Sequence, residues 1–168
     1  DVPATPLIAA QWYQLAAMQD NPDAQYYLGI MYDRGDVLSR QPAESLKWLF
    51  KAGEQGHQKA QIMLALLYLK DKELGQEFIT RIRSYRQSAD KGNAIAQYTL
   101  GWIYREGVGL PVNSREALKW YQKAAKQGNT IAQLALGNIY LEGKVAPVNS
   151  EEALAWYRKS AEVEIKAR

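Results

Sequence analysis

The feature that most constrains this chain of 168 residues is an internal repeat with a period of 36 residues. The dipeptide Ala-Gln recurs four times at that spacing, and a leucine, a small residue, a tyrosine and a tryptophan recur in the same register. These positions are Ala24, Ala60, Ala96 and Ala132; Leu28, Leu64, Leu100 and Leu136; Gly29, Ala65, Gly101 and Gly137; Tyr32, Tyr68, Tyr104 and Tyr140; and Trp12, Trp48, Trp120 and Trp156. Such a period is typical of repeat arrays in which each unit packs against its neighbours.

Each repeat contains the pattern of two helices. In the first helix of the third repeat, Ala96, Leu100, Ile103 and Tyr104 lie on one face of a 3.6-residue period. Gly101 lies inside that helix, where glycine costs about 1 kcal/mol relative to alanine. A repeated cost of this kind predicts a close approach of two helices at this position.

The second helix of each repeat is marked by its ends. The segments Asn113-Ser-Arg-Glu116 and Asn149-Ser-Glu-Glu152 resemble capping boxes, and Gly128 is a typical residue after a helix C-terminus. The repeated tryptophans, Trp12 included, are predicted to pack between repeats.

The pattern predicts an all-α solenoid of helix-turn-helix repeats in a single domain, residues 1–168. A half repeat over 7–20 is followed by four full repeats over 22–56, 57–92, 93–128 and 129–164. The second full repeat departs from the pattern, because Asp71 replaces a glycine and Ser84 replaces the tryptophan.

The third repeat carries the resemblance to a known family. Its residues Ala96, Leu100-Gly101, Tyr104, Gly107, Ala117, Trp120-Tyr121, Lys123-Ala124-Ala125 and Gly128 resemble the Sel-1-like repeat, a branch of the tetratricopeptide-type solenoids, and the match spans about residues 7 to 162. The resemblance implies a right-handed superhelix of helix pairs. It also implies adaptor or scaffold work, often in bacterial envelope, secretion or host-interaction systems.

A partner is predicted to bind the concave side, which the first helices line in solenoids of this kind. The face opposite the repeated core positions varies between repeats, and it is largely apolar and aromatic with a charged edge. Its residues are Tyr26, Ile30, Asp33, Arg34, Ile62, Leu66, Leu69, Tyr98, Trp102, Arg105, Leu134, Asn138 and Leu141. If this strip is exposed, it suits an amphipathic helix or an extended segment, and Tyr98, Trp102 and Arg105 have the composition of a binding hot spot. The alternative is that the strip is buried by superhelical packing or covered by a neighbouring molecule.

The composition gives no support for catalysis. The chain has no cysteine and one histidine, His57, which stands in register with Asn21, Asn93 and Asn129 and is assigned to a turn. No phosphate-binding loop occurs, so we predict no enzyme activity, no cofactor and no metal site. The net charge of +3 does not favour nucleic acid. No apolar run reaches the roughly 20 residues of a membrane span.

Three functions compete at this stage. The first is a bacterial adaptor or scaffold that binds one protein along its groove. The second is an immunity protein or inhibitor that neutralises a secreted toxin or lipase by tight binding. The third, ranked last, is an enzyme or a glycan-binding module. The cluster Arg81, Arg83 and Arg86 reads as a solvated helix face or, alternatively, as a contact for an acidic partner.

The sequence leaves the partner's identity and the oligomeric state open. The chain begins at Asp1, so removal of a leader also stays open. A periplasmic or secreted location is favoured over the cytoplasm.

Overall fold

The computed structural model describes residues 5–71 and 74–166, with side chains described up to residue 162. Over these ranges the chain forms nine helices and no strand, which confirms the predicted all-helical repeat fold. The helices are α1 (Pro6–Met18), α2 (Pro22–Arg34), α3 (Pro42–Glu54), α4 (Gln58–Lys70), α5 (Gly75–Asp90), α6 (Ala94–Glu106), α7 (Ser114–Lys126), α8 (Thr130–Glu142) and α9 (Ser150–Lys166).

The chain divides into two compact units, residues 1–77 and 78–168. In the first unit α1 packs against α2, α2 against α3 and α3 against α4. In the second unit α6 packs against α7, α7 against α8 and α8 against α9. Each unit is therefore built from contacts between helices that follow one another in the chain, as expected for a repeat array.

The first helix of every full repeat begins with a side-chain cap. Asn21, Asn93 and Asn129 each accept a hydrogen bond from the backbone N–H three residues later, for example 2.8 Å from Ala96 N to Asn93 Oδ1. His57 does the same with its ring, since its Nδ1 accepts from the N–H of Ala60 at 3.1 Å. The predicted turn role of His57 is confirmed, and it is a helix cap.

The second helices α7 and α9 are also capped by asparagine, but without the predicted reciprocal box, whereas Gln41 before α3 makes no side-chain cap hydrogen bond. Asn113 Oδ1 accepts from the N–H of Glu116 at 3.1 Å, as in a capping box. The N–H of Asn113, however, donates to the carbonyl of Tyr104 at 2.9 Å, while the carboxylate of Glu116 pairs with Lys119. A backbone carbonyl of the preceding first helix thus accepts the hydrogen bond that the glutamate carboxylate accepts in a capping box. Of the predicted box, only the bond to the asparagine side chain is formed.

The predicted ends of the second helices are confirmed. Gly56, Gly92 and Gly128 all have left-handed backbone angles, with φ of 80°, 94° and 87°. After Gly128 the chain turns back so that the N–H of Asn129 donates to the carbonyl of Ala124 at 3.2 Å, as in a Schellman motif.

The predicted close approach at Gly101 is confirmed as well. A Cβ atom added there would lie 2.7 Å from the ring of Tyr121 on α7, which is too short for an ordinary contact. In the first unit Gly29 of α2 stands equally close to the side chain of Leu49 on α3. The two helices of one repeat therefore meet at this glycine.

Four buried glutamines join each first helix to the second helix before it. Each side-chain amide donates to a backbone carbonyl eight residues earlier, at distances between 2.9 and 3.2 Å. The pairs are Gln25 with Ala17, Gln61 with Gly53, Gln97 with Ala89, and Gln133 with Ala125. These bonds satisfy carbonyls at a helix C-terminus, which otherwise lack intrahelical donors. The repeated Ala-Gln dipeptide thus has a structural role that the sequence pattern alone did not reveal.

The tryptophan prediction is right for three positions and wrong for Trp12. Trp48, Trp120 and Trp156 are buried, and Trp48 packs against Ala17 of α1 and Leu28 of α2. Trp12 is 68% exposed. The helices that cover Trp48 precede it in the chain, and no helix precedes α1 among the described residues, so the ring of Trp12 stays open.

Candidate functional site

The strip predicted to bind a partner is most exposed on α4. Ile62, Leu66 and Leu69 are 61%, 54% and 75% exposed. Their spacing of four and three residues places them on one face of the helix. We call this set the α4 patch. Apolar side chains aligned in this way on a helix surface are typical of an interaction site.

The same positions are buried on α6. Tyr98 is 5% and Trp102 is 1% exposed, and the ring of Tyr98 lies 5.8 Å from that of Tyr121. Arg105, next along the strip, is only partly exposed and makes a 2.6 Å ion pair with Glu106. Tyr98 and Trp102 are therefore not accessible to a partner in this structure, and the prediction that they present a binding hot spot is wrong. Helix α6 buries eight consecutive residues, Ala96 to Ile103, so that both its core face and the face predicted to bind a partner are buried.

The strip is mixed on the two remaining first helices. On α8, Leu134 and Leu141 are exposed, and the exposed Asn138 accepts a 2.7 Å hydrogen bond from the hydroxyl of Tyr157. We call Leu134 and Leu141 the α8 patch.

On α2, Tyr26, Ile30 and Asp33 are half-buried while Arg34 is exposed. The ring of Tyr26 stacks on that of His57 with 4.9 Å between centroids. This part of α2 is thus partly used for internal packing in the first unit.

The arginine cluster of α5 is not simply a solvated face. Arg86 lies over the ring of Trp120 at 5.3 Å and donates from Nη1 to the hydroxyl of Tyr104 at 3.0 Å. Arg83 is exposed, and Arg81 is partly buried. Arg86 therefore helps to cover a buried tryptophan, in addition to a longer contact of 3.6 Å with Asp90.

An open apolar groove lies between α1 and α2 in the first unit. It encloses about 620 Å³ and is lined by Ile8, Ala9, Trp12, Tyr13, Ala16, Asn21, Asp23, Ala24 and Tyr27. We call it the α1 groove. The sequence pattern did not predict it, because the register assigned Trp12 to internal packing. The usable signal was the position of Trp12 in a half repeat.

Side chains able to bind a metal ion do not come together among the described residues. These residues contain no cluster of three or more histidine, aspartate or glutamate side chains that could hold a metal ion. His57 uses Nδ1 as a cap, and its Nε2 lies 3.0 Å from Asp23. Burial raises the pKa of Tyr121 far above its usual value, so its hydroxyl stays neutral at physiological pH. Within the described ranges, no helix is long and apolar enough to cross a membrane.

Comparisons with known proteins agree with the repeat architecture. The family model described as Sel1 repeat matches residues 2–21, 22–57, 94–129 and 130–163. The degenerate second repeat is the part that it leaves unmatched. No curated protein sequence matches the chain. Proteins with Sel1 repeats are protein-interaction modules with a non-catalytic fold.

Three solved structures are similar to this chain. A protective antigen with an SLR fold from uropathogenic Escherichia coli is 31% identical, with a TM-score of 0.51 over 92% of this chain and 33% of its own. A Sel1 repeat protein from Oxalobacter formigenes is 32% identical, with a TM-score of 0.49 over 95% and 65%. An immunity protein from Pseudomonas aeruginosa is 18% identical, with a TM-score of 0.44 over 92% and 73%. The chain thus spans one third and about two thirds of the lengths of the first two.

Proposed function

The chain belongs to the Sel1 repeat family, and from this premise we propose that it is a protein-interaction module, a bacterial adaptor or scaffold, whose α4 patch binds a partner polypeptide. The observation that carries the proposal is the exposure of Ile62, Leu66 and Leu69 on one face of α4. Fully burying one such side chain is worth about 1.5–3 kcal/mol. Covering the three together therefore supplies a substantial driving force for association.

The surroundings of the patch indicate the chemistry of the partner. Lys59 precedes the patch and Lys70 follows it, and both are exposed. An amphipathic helix with apolar residues spaced by three and four, and with acidic residues at its margins, complements this surface. The apolar contacts supply affinity, and the two lysines favour one orientation of the bound helix.

The α8 patch is the subsidiary candidate in the second unit. Leu134 and Leu141 are exposed on the same helix, but they are seven residues apart and Asn138 between them is bonded to Tyr157. Two separate leucines form a smaller apolar surface than the α4 patch. We therefore assign the main contact to α4.

The experiment compares capture of partners by the wild type and by a Leu66→Glu, Leu69→Glu double variant, followed by titration with the purified partner. Placing two carboxylates in the patch removes its apolar surface, and we expect the affinity to fall at least 100-fold. Leu154→Glu is the matched control, because it adds a charge at an exposed leucine outside both patches. Circular dichroism and thermal melting check that all chains are folded. Equal affinity of the double variant and the wild type contradicts the assignment.

The activity of the captured partner separates an adaptor from an inhibitor. If the partner is a toxin or a lipase, its turnover is measured with and without an equimolar amount of this chain. Loss of turnover selects the immunity hypothesis, and unchanged turnover selects the adaptor. Binding to a cell-wall glycan that survives the double variant would instead select the third hypothesis.

A further inference from the structure

We propose that α5 and α7 form a second binding site, which takes an acidic segment of a partner polypeptide that carries one large apolar side chain. The site combines a small apolar crevice beside α5 with a group of cations around Trp120 of α7. Both features lie within the second unit of the chain. The site uses no residue of the α4 patch and does not rest on the proposed function of that patch.

The first observation is the apolar crevice. It encloses about 290 Å³, and its walls include Ile79 and Ile82 of α5, Leu100 of α6 and Leu110 of the following loop. This volume is just below the range of about 300–1,000 Å³ that is typical of small-molecule pockets. The crevice therefore suits one large apolar side chain of a polypeptide better than a complete small ligand.

One wall of the crevice is an isoleucine at a position where later repeats carry charge. Ile79 is 44% exposed, whereas Arg115 of α7 and Glu151 of α9, both exposed, occupy the same register position. The loop after α6 packs tightly on the neighbouring wall, since a Cβ atom added to Gly109 would lie 2.5 Å from Cδ1 of Ile82. The crevice is thus held by backbone packing on one side and presents an apolar side chain to solvent on the other.

The second observation is that three cations converge on one aromatic ring. Arg86 of α5 and Lys119 and Lys123 of α7 lie 5.3, 5.9 and 4.2 Å from the ring centre of Trp120. The face of the indole attracts each of them, but the three positive charges also repel one another. A carboxylate bound beside them would relieve this repulsion and would be attracted by all three.

The carboxylates of the chain neutralise these cations only in part. Lys119 pairs with Glu116 at 3.3 Å, and Arg86 makes a longer contact of 3.6 Å with Asp90. Lys123 forms no ion pair with any residue that the structure describes. Helix α7 carries four basic residues and one acidic residue, so its own sequence leaves a positive excess.

The crevice and the cations form one continuous surface through the arginines of α5. Arg83 and Arg86 both line the crevice, and Arg86 also lies over Trp120. The spacing of four and three residues places Ile79, Arg83 and Arg86 on the same side of the helix. Arg83 is exposed and has no ion-pair partner within the described part of the chain. We call this set of side chains the α5–α7 surface.

The composition of the α5–α7 surface favours a polypeptide over nucleic acid or lipid. Proteins that bind single-stranded nucleic acid stack bases on accessible aromatic rings, but Trp120 is 1% exposed. A helix that inserts into a membrane surface presents a broad apolar face, whereas Ile79 is the one exposed apolar residue that lines the crevice. An acidic segment with one phenylalanine or leucine matches both features, because the apolar group fills the crevice and the carboxylates face the arginines and lysines.

The test uses the full chain and a fluorescent peptide of sequence Asp-Glu-Glu-Phe-Glu-Asp-Glu, followed by fluorescence anisotropy. We expect saturable binding that weakens as the salt concentration rises, because the charges lie at the surface. Replacing the phenylalanine by serine, or the acidic residues by their amides, should each weaken binding by about 10-fold or more. Arg83→Glu and Ile79→Ser should weaken binding of the original peptide by a similar factor. Both side chains are exposed, and circular dichroism with thermal melting checks that each variant is folded.

Two controls make the test specific. Lys144→Glu reverses the charge of a lysine whose side chain is 80% exposed on the loop after α8, and it should bind the peptide like the wild type. The Leu66→Glu, Leu69→Glu double variant removes the α4 patch and should also bind it like the wild type. The outcome for this site is therefore separate from that of the proposed function.

Three results would overturn the proposal. The first is the absence of saturable binding by the wild type. The second is equal binding of the phenylalanine and serine peptides, or a loss in Lys144→Glu as large as that in Arg83→Glu. The third is tighter binding of single-stranded oligothymidylate or of phosphatidylserine vesicles that Arg83→Glu abolishes, because it assigns the surface to nucleic acid or to lipid.

Discussion

Helices α4 and α6 occupy equivalent places in two consecutive repeats, and they differ in what they bury. Both have 13 residues, both begin after a side-chain cap, and both hold a buried glutamine and a buried leucine in the same register. Yet α4 buries four residues, whereas α6 buries eight in succession. The positions that recur in every repeat therefore fix only one buried face of the first helix. The opposite face is buried in α6 and exposed in α4.

The two helices differ at two register positions of this face. Where α4 carries Ile62 and Leu66, α6 carries Tyr98 and Trp102. Aromatic side chains bury about 150–250 Å² each, which makes their removal from water strongly favourable. On α6 these rings are part of the interior, and on α4 the smaller aliphatic groups remain at the surface. An aromatic residue at a variable position is thus no sign of a binding site by itself.

The largest expected effect comes from truncating the two helices at the same register position. Trp102→Ala should lower the free energy of unfolding by about 3–5 kcal/mol, because it empties a buried aromatic site. Leu66→Ala, at the exposed counterpart, should change it by less than about 0.5 kcal/mol. Urea unfolding followed by circular dichroism measures both. Equal costs would show that the burial of α6 has no energetic consequence.

An intermediate effect is expected where the helices of a repeat meet. Gly101→Ala should cost about 1–3 kcal/mol in unfolding free energy, because the added methyl group would lie 2.7 Å from the ring of Tyr121. Gly53→Ala is the control, since its Cβ would lie 3.5 Å from the nearest atom and the helix gains propensity. At the equivalent position of α4, Ala65→Gly should cost about 1 kcal/mol through backbone entropy alone. Stabilisation by Gly101→Ala in thermal melts would refute the close contact.

The smallest effect is expected at the caps, where α4 and α6 are chemically different but structurally equivalent. Asn93 caps α6 and His57 caps α4, each by accepting one backbone hydrogen bond. His57→Asn should therefore change the unfolding free energy by less than about 0.5 kcal/mol, while His57→Ala should cost about 1 kcal/mol. Chemical denaturation of the two variants distinguishes these values. A large loss in His57→Asn would mean that stacking on Tyr26 matters more than the cap.

The repeat register predicted the architecture well, for a physical reason. A spacing of 36 residues fixes which side chains recur, and recurrence at helical spacing identifies the buried face of each helix. The turn at His57 and the αL glycine at Gly128 depend on local backbone geometry, and the helix contact at Gly101 is marked by a glycine that recurs inside a helix. Such features follow from short stretches of sequence, and the structure confirms each of them.

The candidate site could be predicted only in part, because exposure depends on what lies around a helix. The register places Trp12 and Trp48 at the same position, yet one is exposed and the other is buried, because the helices that cover Trp48 have no counterpart before Trp12 among the described residues. It also gives Leu66 and Trp102 the same position in the repeat, although only the tryptophan is buried. The buried glutamines were visible as a repeated dipeptide, but their hydrogen bonds run eight residues back and require three-dimensional packing to be seen.

The glutamine bonds give the helix array a direction. In Gln25 the amide nitrogen donates toward Ala17 in α1, while the amide oxygen accepts from Gln55 after α3, and Gln97 makes the same pair of bonds with Ala89 and Gln127. In these two repeats the donor and acceptor ends of the glutamine thus point in the same order along the chain. A glutamate at either position could accept but could not donate, so one changed atom would interrupt the order. Because all four junctions share the bond from the glutamine amide nitrogen to a carbonyl eight residues earlier, a whole 36-residue unit can be duplicated or deleted without reversing the direction of these bonds, which is a simple route by which such chains change length.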